Sequence, residues 1–186
     1  MSQEPVTENL VTITPANPML RPRIEKVTVN ISVGKSGEPL EKAMKVLEQL
    51  AGQKPCPRKA KKTIRDFGIR KGEPIACMVT LRGARATNFL KRAFEAVGNR
   101  IDEAKFDSLG NFSFGIKEHI EIPGTKYIPE LGIFGMDIAV TLRRLGNRVA
   151  TRRRRKSKIG SRHRLTKNEA IQFVREVLGV EIVKGE

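Results

Sequence analysis

Lys26-Val-Thr-Val-Asn-Ile-Ser-Val33 alternates strictly, with apolar Val27, Val29, Ile31 and Val33 separated by polar Lys26, Thr28, Asn30 and Ser32. A period of two is that of a strand with one buried face. The pattern recurs three times. Ile75, Cys77, Val79 and Leu81 alternate with Ala76, Met78, Thr80 and Arg82. Phe112, Phe114 and Ile116 alternate with Asn111, Ser113 and Gly115. Met136, Ile138, Val140 and Leu142 alternate with Asp137, Ala139, Thr141 and Arg143.

Three stretches change to helical spacing and supply a cover for those apolar faces. Leu40, Ala43, Met44, Leu47, Leu50 and Ala51 form one stripe, with Ser36 as the expected cap and Gly52 as the stop. Phe89, Leu90, Ala93, Phe94 and Val97 form a second, ended by Gly98. In the third, Thr166 and Glu169 have capping-box spacing ahead of Ala170, Ile171, Val174, Val177 and Leu178. Val180 to Val183 adds a last short strand. The expectation is one α+β domain over residues 23–186, its sheet covered by helices on one face, with basic loops projecting. Residues 1–22 carry Pro5, Pro15, Pro18 and Pro22 and read as a flexible extension.

A sheet covered on one side presents its other face outward. That face would carry Thr28, Asn30, Ser32, Thr80, Arg82, Asn111, Ser113, Asp137, Thr141 and Arg143. Short hydrogen-bonding groups with two arginines suit sugar hydroxyls, phosphates and base edges. The alternative is an ordinary solvated sheet face.

Charge is concentrated in two segments. Residues 54–71 hold eight Lys/Arg against Asp66, and residues 143–167 hold twelve with no acid. Together they carry +19 of a chain whose net charge is +16, so the remainder is a slightly acidic scaffold at −3. Such fields attract polyanions, and Lys/Arg that neutralise phosphates supply the sequence-independent part of nucleic-acid affinity. In the first segment Lys59, Lys61, Lys62, Arg65, Arg70 and Lys71 interleave with Ile64, Phe67 and Ile69, which suggests a basic hairpin or loop. An edge strand with snorkelling lysines is the alternative. In the second, Arg152, Arg153, Arg154, Arg155 and Lys156, followed by Lys158, Arg162 and Arg164, would repel itself and be disordered if free. Binding RNA would relieve that repulsion.

Other chemistry finds little support. No apolar run approaches the roughly 18 to 20 residues that span a bilayer, so a cytosolic protein without a membrane partner is expected. Cys56 and Cys77 lack metal-ligand spacing and read as free thiols, Cys77 within a strand. His119 beside Glu118 and Glu121 lacks further His or Cys partners, so a structural or surface role is favoured over a catalytic or metal pair. The glycine-rich stretches 110–115 and 132–135 fit neither a P-loop nor a dinucleotide fingerprint. No cofactor is implied. Aromatics are 5% of residues, which disfavours reading single strands by base stacking.

These residues also carry a resemblance. The stretches 26–34 (KVTVNISVG), 52–55 (GQKP), 59–61 (KAK), 75–83 (IACMVTLRG), 110–115 (GNFSFG) with Glu118, and 132–137 (GIFGMD) occur in the order found in the universal large-subunit ribosomal protein five family, the 5S rRNA binders. The chain resembles that family from about Pro18 to its end. Its basic stretch after Arg143 resembles the archaeal and eukaryotic branch, archaeal by preference. The resemblance implies a curved antiparallel sheet of about four to five strands, with 5S rRNA on its open face. Asn30, Gln53 and Thr80 match family residues that touch 5S rRNA, and Arg82 follows in the same strand. Thr28 and Ser32 join them from the face reading. Residues 59–71 match a loop that reaches the peptidyl-site tRNA. Large-subunit rRNA, other proteins of the central protuberance and a small-subunit head protein complete the implied partners. A noncatalytic ribosomal protein is the leading expectation. An RNA-acting enzyme or general nucleic-acid chaperone, whose basic loops capture substrate, is the competing one.

Overall fold

The computed structural model describes residues 17–183. Most of the expected extension, residues 1–16, lies outside them. Residues 18–20 form a 3-10 turn whose Asn17 side chain accepts from the Met19 N–H at 2.9 Å.

The chain runs β1 (Arg23–Ser32), α1 (Glu38–Ala51), β2 (Cys56–Lys59), β3 (Pro74–Leu81), α2 (Ala84–Ala96), β4 (Arg100–Asp102), β5 (Phe112–Ile116), β6 (Met136–Arg143), the single turn α3 (Arg148–Thr151), α4 (Lys167–Leu178) and β7 (Glu181–Val183). Five strands form one antiparallel sheet in the order β2-β3-β1-β6-β5. β4 and β7 pair in parallel as a separate ribbon. This is the expected α+β fold, with β1 as the central strand.

Alternation decides which face is buried. Val27, Val29, Ile31, Val79, Leu81, Ile138, Val140 and Leu142 are at most 3% exposed. Removing that much apolar surface from water is the main force holding the sheet to its helices, at roughly 1.5–3 kcal/mol for each large aliphatic side chain. α1 and α2 lie over β3 and β1, and α4 inserts Ala170 and Val174 into the same core. Phe94 of α2 stacks on Phe114 with ring centroids 5.0 Å apart, and Phe106 lies 4.9 Å from Phe112. These four and Phe89 are buried in the core, and Phe67 is left as the exposed phenylalanine at 73%.

Three local expectations are corrected. Ser36 does not cap α1; its hydroxyl donates to Glu73 across the fold, and the N-cap position is Gly37. Val46 belongs to the buried stripe of α1 although only its neighbours were assigned to it. Val177 of α4 is 49% exposed, because the core-facing stripe of that helix runs through Ala170, Val174 and Leu178 and Val177 lies outside it. Gly52 closes α1 in the left-handed conformation as expected, and Thr166 with Glu169 forms the capping box.

Candidate nucleic-acid interface

β1 turns Thr28, Asn30 and Ser32 away from the helices, and sheet register lines them up with their neighbours. Thr28 stands opposite Thr80 on one side and Ala139 on the other, and Ala139 stands opposite Ser113. Asn30 stands opposite Met78 and Asp137, and Ser32 opposite Ala76. The Asn30 amide donates to the Ser32 hydroxyl at 2.9 Å, and its carbonyl oxygen, which accepts no hydrogen bond among the described residues, keeps its capacity for a donor. No helix covers this surface among the described residues. It is a polar platform of hydroxyls and amides with hydrogen-bonding capacity to spare. Gln53 is exposed just beyond α1, outside the sheet.

Arg82 and Arg143 sit at the end of the face where β1 begins, and both are attracted to Glu25. Arg143 Nε contacts one carboxylate oxygen, and Arg82 Nη1 lies 4.0 Å from the other. Their charge toward a ligand is therefore partly offset, which sequence reading did not foresee.

The first basic segment combines both readings given for it. Residues 56–59 form an edge strand, all four residues exposed, and residues 60–73 continue as a projecting hairpin. Ile64 and Ile69 exchange two backbone hydrogen bonds of 2.9 and 3.1 Å, and Gly68, at φ 66°, closes the turn by donating to Arg65 O. The isoleucines hold the hairpin's shape, and Phe67 is left projecting at the tip. Lys61, Lys62, Arg65, Arg70 and Lys71 are exposed around it. The hairpin's base is pinned by Glu73, which accepts from Ser36 and from the Arg70 N–H at 3.0 Å. Those hydrogen bonds, Ser36 first, hold its carboxyl below the usual range.

The second segment takes a defined path where self-repulsion had suggested disorder. Arg144, its side chain only 10% exposed, binds Glu169 at the start of α4 and donates to Arg162 O at 3.1 Å. His163 Nε2 lies 2.7 Å from Leu145 O, Ser157 N–H donates to Val149 O, and Arg152 Nε donates to Arg155 O at 2.8 Å. These bonds offset the repulsion by fixing the backbone while the cations point outward. Arg152, Arg153, Arg154, Arg155, Lys156, Lys158, Arg162 and Arg164 are exposed, and none forms an ion pair among the described residues.

Register also fixes where the two segments leave the sheet. Arg23, at the start of β1, pairs with Arg143, where the second segment begins. Ser32, at the end of β1, pairs with Ala76, beside the base of the hairpin. The ten residues of β1 separate them, roughly 30 Å at strand rise. The two cationic projections thus flank the polar face at opposite ends. At the second end, face residues Lys26, Thr141 and Asn111 line one cleft together with Lys156, Lys158 and Arg164. Sequence reading missed Lys26 as a participant because it looked like a routine polar alternate.

His119 is buried, and its Nδ1 accepts from the Phe134 N–H at 3.3 Å, a structural role. Cys77 is buried in β3, and burial pushes its thiol up to about 11. Among the described residues no three His, Cys, Asp or Glu side chains cluster to hold a metal, and no helix is long and apolar enough to cross a membrane.

Two family models match the chain in succession. One, described as ribosomal protein L5, covers residues 17–70, and the other, the ribosomal L5P family C-terminus, covers residues 74–173. The chain belongs to the ribosomal protein L5 family. The models meet within the projecting hairpin, so the main sheet takes β1 and β2 from the first and β3, β5 and β6 from the second. The chain is 59% identical to "Large ribosomal subunit protein uL5" of Aeropyrum pernix, over 90% of this chain and 88% of the relative. It is 58% identical to the protein of the same description from Pyrobaculum aerophilum, over 89% and 93%, and 56% identical to that of Sulfurisphaera tokodaii, over 91% and 96%. The relatives are archaeal, in line with the expected branch. An L5-family chain is a structural constituent of the large ribosomal subunit and not an enzyme, which places it at the ribosome in the cytoplasm.

Proposed function

We propose that this chain binds 5S rRNA through the open face of the main sheet, with Thr28, Asn30, Ser32, Thr80 and Arg82 as contacts and Gln53 at the margin. The observation that carries the reading is continuity. Among the described residues the polar face runs without a covering element into a cationic cleft at one end and toward a cationic hairpin at the other. Hydroxyls and amides read sugar and base edges while flanking Lys/Arg hold phosphates.

The 59–71 hairpin reaches toward the elbow of the peptidyl-site tRNA, with Lys59, Lys61, Lys62, Arg65, Arg70 and Lys71 as phosphate contacts. The exposed Phe67 supports this, since a lone aromatic at a basic tip gives a base or ribose an apolar surface. The second basic segment, from Arg143 to Arg164, docks on large-subunit rRNA. Other proteins of the central protuberance and a small-subunit head protein are its protein neighbours. Residues 23–186 act as one RNA-binding unit.

The test is a titration of the purified full chain against 5S rRNA and a length-matched unrelated RNA, at physiological salt with excess tRNA. A preference of at least ~100-fold, about 2.7 kcal/mol, is expected, because charge alone does not discriminate RNAs of equal length. Asn30→Ala or Thr80→Ala should weaken 5S rRNA binding by about 1–3 kcal/mol and leave unrelated RNA unaffected. Equal affinity for both RNAs would reduce the chain to a general basic binder.

A further inference from the structure

The cleft between the start of β1 and the second basic segment has a volume of about 740 Å³, within the roughly 300–1,000 Å³ typical of pockets that enclose a small molecule. Its composition is divided. Leu109, Ile159 and Leu165 give it an apolar floor, while Lys26, Lys158 and Arg164 stand on its rim without ion-pair partners among the described residues. Phosphate capture alone calls for a cationic ridge, and an apolar floor would add nothing to it. A flat, weakly polar ring carried on a phosphate would use both.

A second observation points the same way. Arg144 lines this cleft with its side chain nine-tenths buried, and its Nε has no hydrogen-bond partner among the described residues although Nη1 and Nη2 are both satisfied. A buried charged group with an idle donor costs stability unless an acceptor reaches it. A small shift of the side chain would bring that donor to an acceptor entering the cleft.

We infer that this cleft takes a single unpaired nucleotide of the bound RNA, its base laid on the Leu109, Ile159 and Leu165 floor and its phosphate held by the rim cations. This rests on the RNA-binding reading above. Unpaired bases can be splayed out of an RNA fold and lodged among apolar side chains, whereas a paired stem is too wide to enter.

The experiment uses the full chain and two RNA hairpins identical except that one carries a single bulged 4-thiouridine. Affinities are measured by fluorescence anisotropy, and the bulge is then photo-crosslinked and the attached peptide identified by mass spectrometry. The bulged hairpin should bind at least tenfold more tightly, and its crosslink should fall on a peptide containing Leu109 or Ile159. Ala150→Phe, which fills the cleft from its wall, should remove the preference while retaining affinity for the paired hairpin. Leu109→Ser should do the same, and because Leu109 is 49% exposed this change leaves the core intact. Equal affinity for the two hairpins, a preference that survives both substitutions, or a crosslink elsewhere would overturn the inference alone. Failure of both hairpins to bind while 5S rRNA binds would likewise overturn the inference alone, and failure of 5S rRNA to bind at physiological salt as well would overturn the RNA-binding reading with it.

Discussion

Glu169 serves two structures at once, and removing it separates them. One carboxylate oxygen accepts from the Thr166 N–H at 3.1 Å to close the capping box of α4, and the other holds Arg144. The Arg144 side chain is 10% exposed and that of Glu169 36%. The pair therefore lies between the exposed case, worth about 0.2–1 kcal/mol, and the buried one, where removing a partner costs about 3–5 kcal/mol. A loss of about 2 kcal/mol is expected for Glu169→Gln, which keeps the capping acceptor but not the charge. Glu169→Ala loses the cap as well, about 1 kcal/mol more. For a chain of this length each kcal/mol lowers Tm by about 2–4 °C, so Gln should melt about 4–8 °C and Ala about 6–12 °C below the parent. Chemical denaturation and calorimetry read both values. In an Arg144→Met background, Glu169→Ala should cost only the cap, about 1 kcal/mol. Equal cost in both backgrounds would show that the two residues are not coupled, and the account of how the second basic segment is anchored would fail.

Three further outcomes are expected. Burial holds the His119 imidazole below its ordinary value of 6.5, so between the two values the unfolded chain binds more protons than the folded one. Stability should fall as pH drops through about 6.5 and level off below the folded value. Denaturation at pH 7.5 and 5.0 should show that dependence, reduced in His119→Gln. Gly110 adopts φ 78°, and a Cβ there would lie 2.8 Å from Ala170 Cβ and 2.9 Å from Leu165 Cδ2, so Gly110→Ala should destabilise by about 1–3 kcal/mol or more. An unchanged Tm would show that α4 can move aside. Exposed Cys56 should be alkylated in the native state while Cys77, buried and raised to about 11, reacts only on unfolding. Mass spectrometry after brief iodoacetamide treatment distinguishes the two.

The parts of the fold that sequence made visible are those in which one residue pattern meets one environment. β1, β3, β5 and β6 each alternate against a buried core, and the same alternation correctly placed Thr28, Asn30 and Thr80 on the opposite face. β2 has no buried residue and β4 has one, Ile101, so neither leaves a period to read. β7 was anticipated as a strand, but its parallel pairing with β4 joins residues about eighty positions apart and has no local signature. Ser36 looked like a cap because helix starts favour serine, yet its partner is Glu73, 37 residues away. The cations were equally visible as a set and equally illegible as individuals. Arg143, Arg144 and Lys167 are tied to Glu25, Glu169 and Glu103, while Arg152 to Arg164 in the same run form no ion pair among the described residues. The cleft joins Leu109 to Ile159 through folding alone, and nothing in either segment announces it.

The two faces of β1 answer to different surroundings, an apolar core on one side and an open polar surface on the other, and that makes its reading frame matter more than its letters. Exchange of one short polar residue for another between 26 and 32 alters a contact. Loss of one residue from the same stretch would reverse the parity of those beyond it, sending Asn30 and Ser32 inward and Ile31 outward. The hairpin beyond Lys59 is under no such rule, since much of it has no inside. A change of length is thus tolerable in the projections and not in the central strand, which is a ruler that cannot be recut.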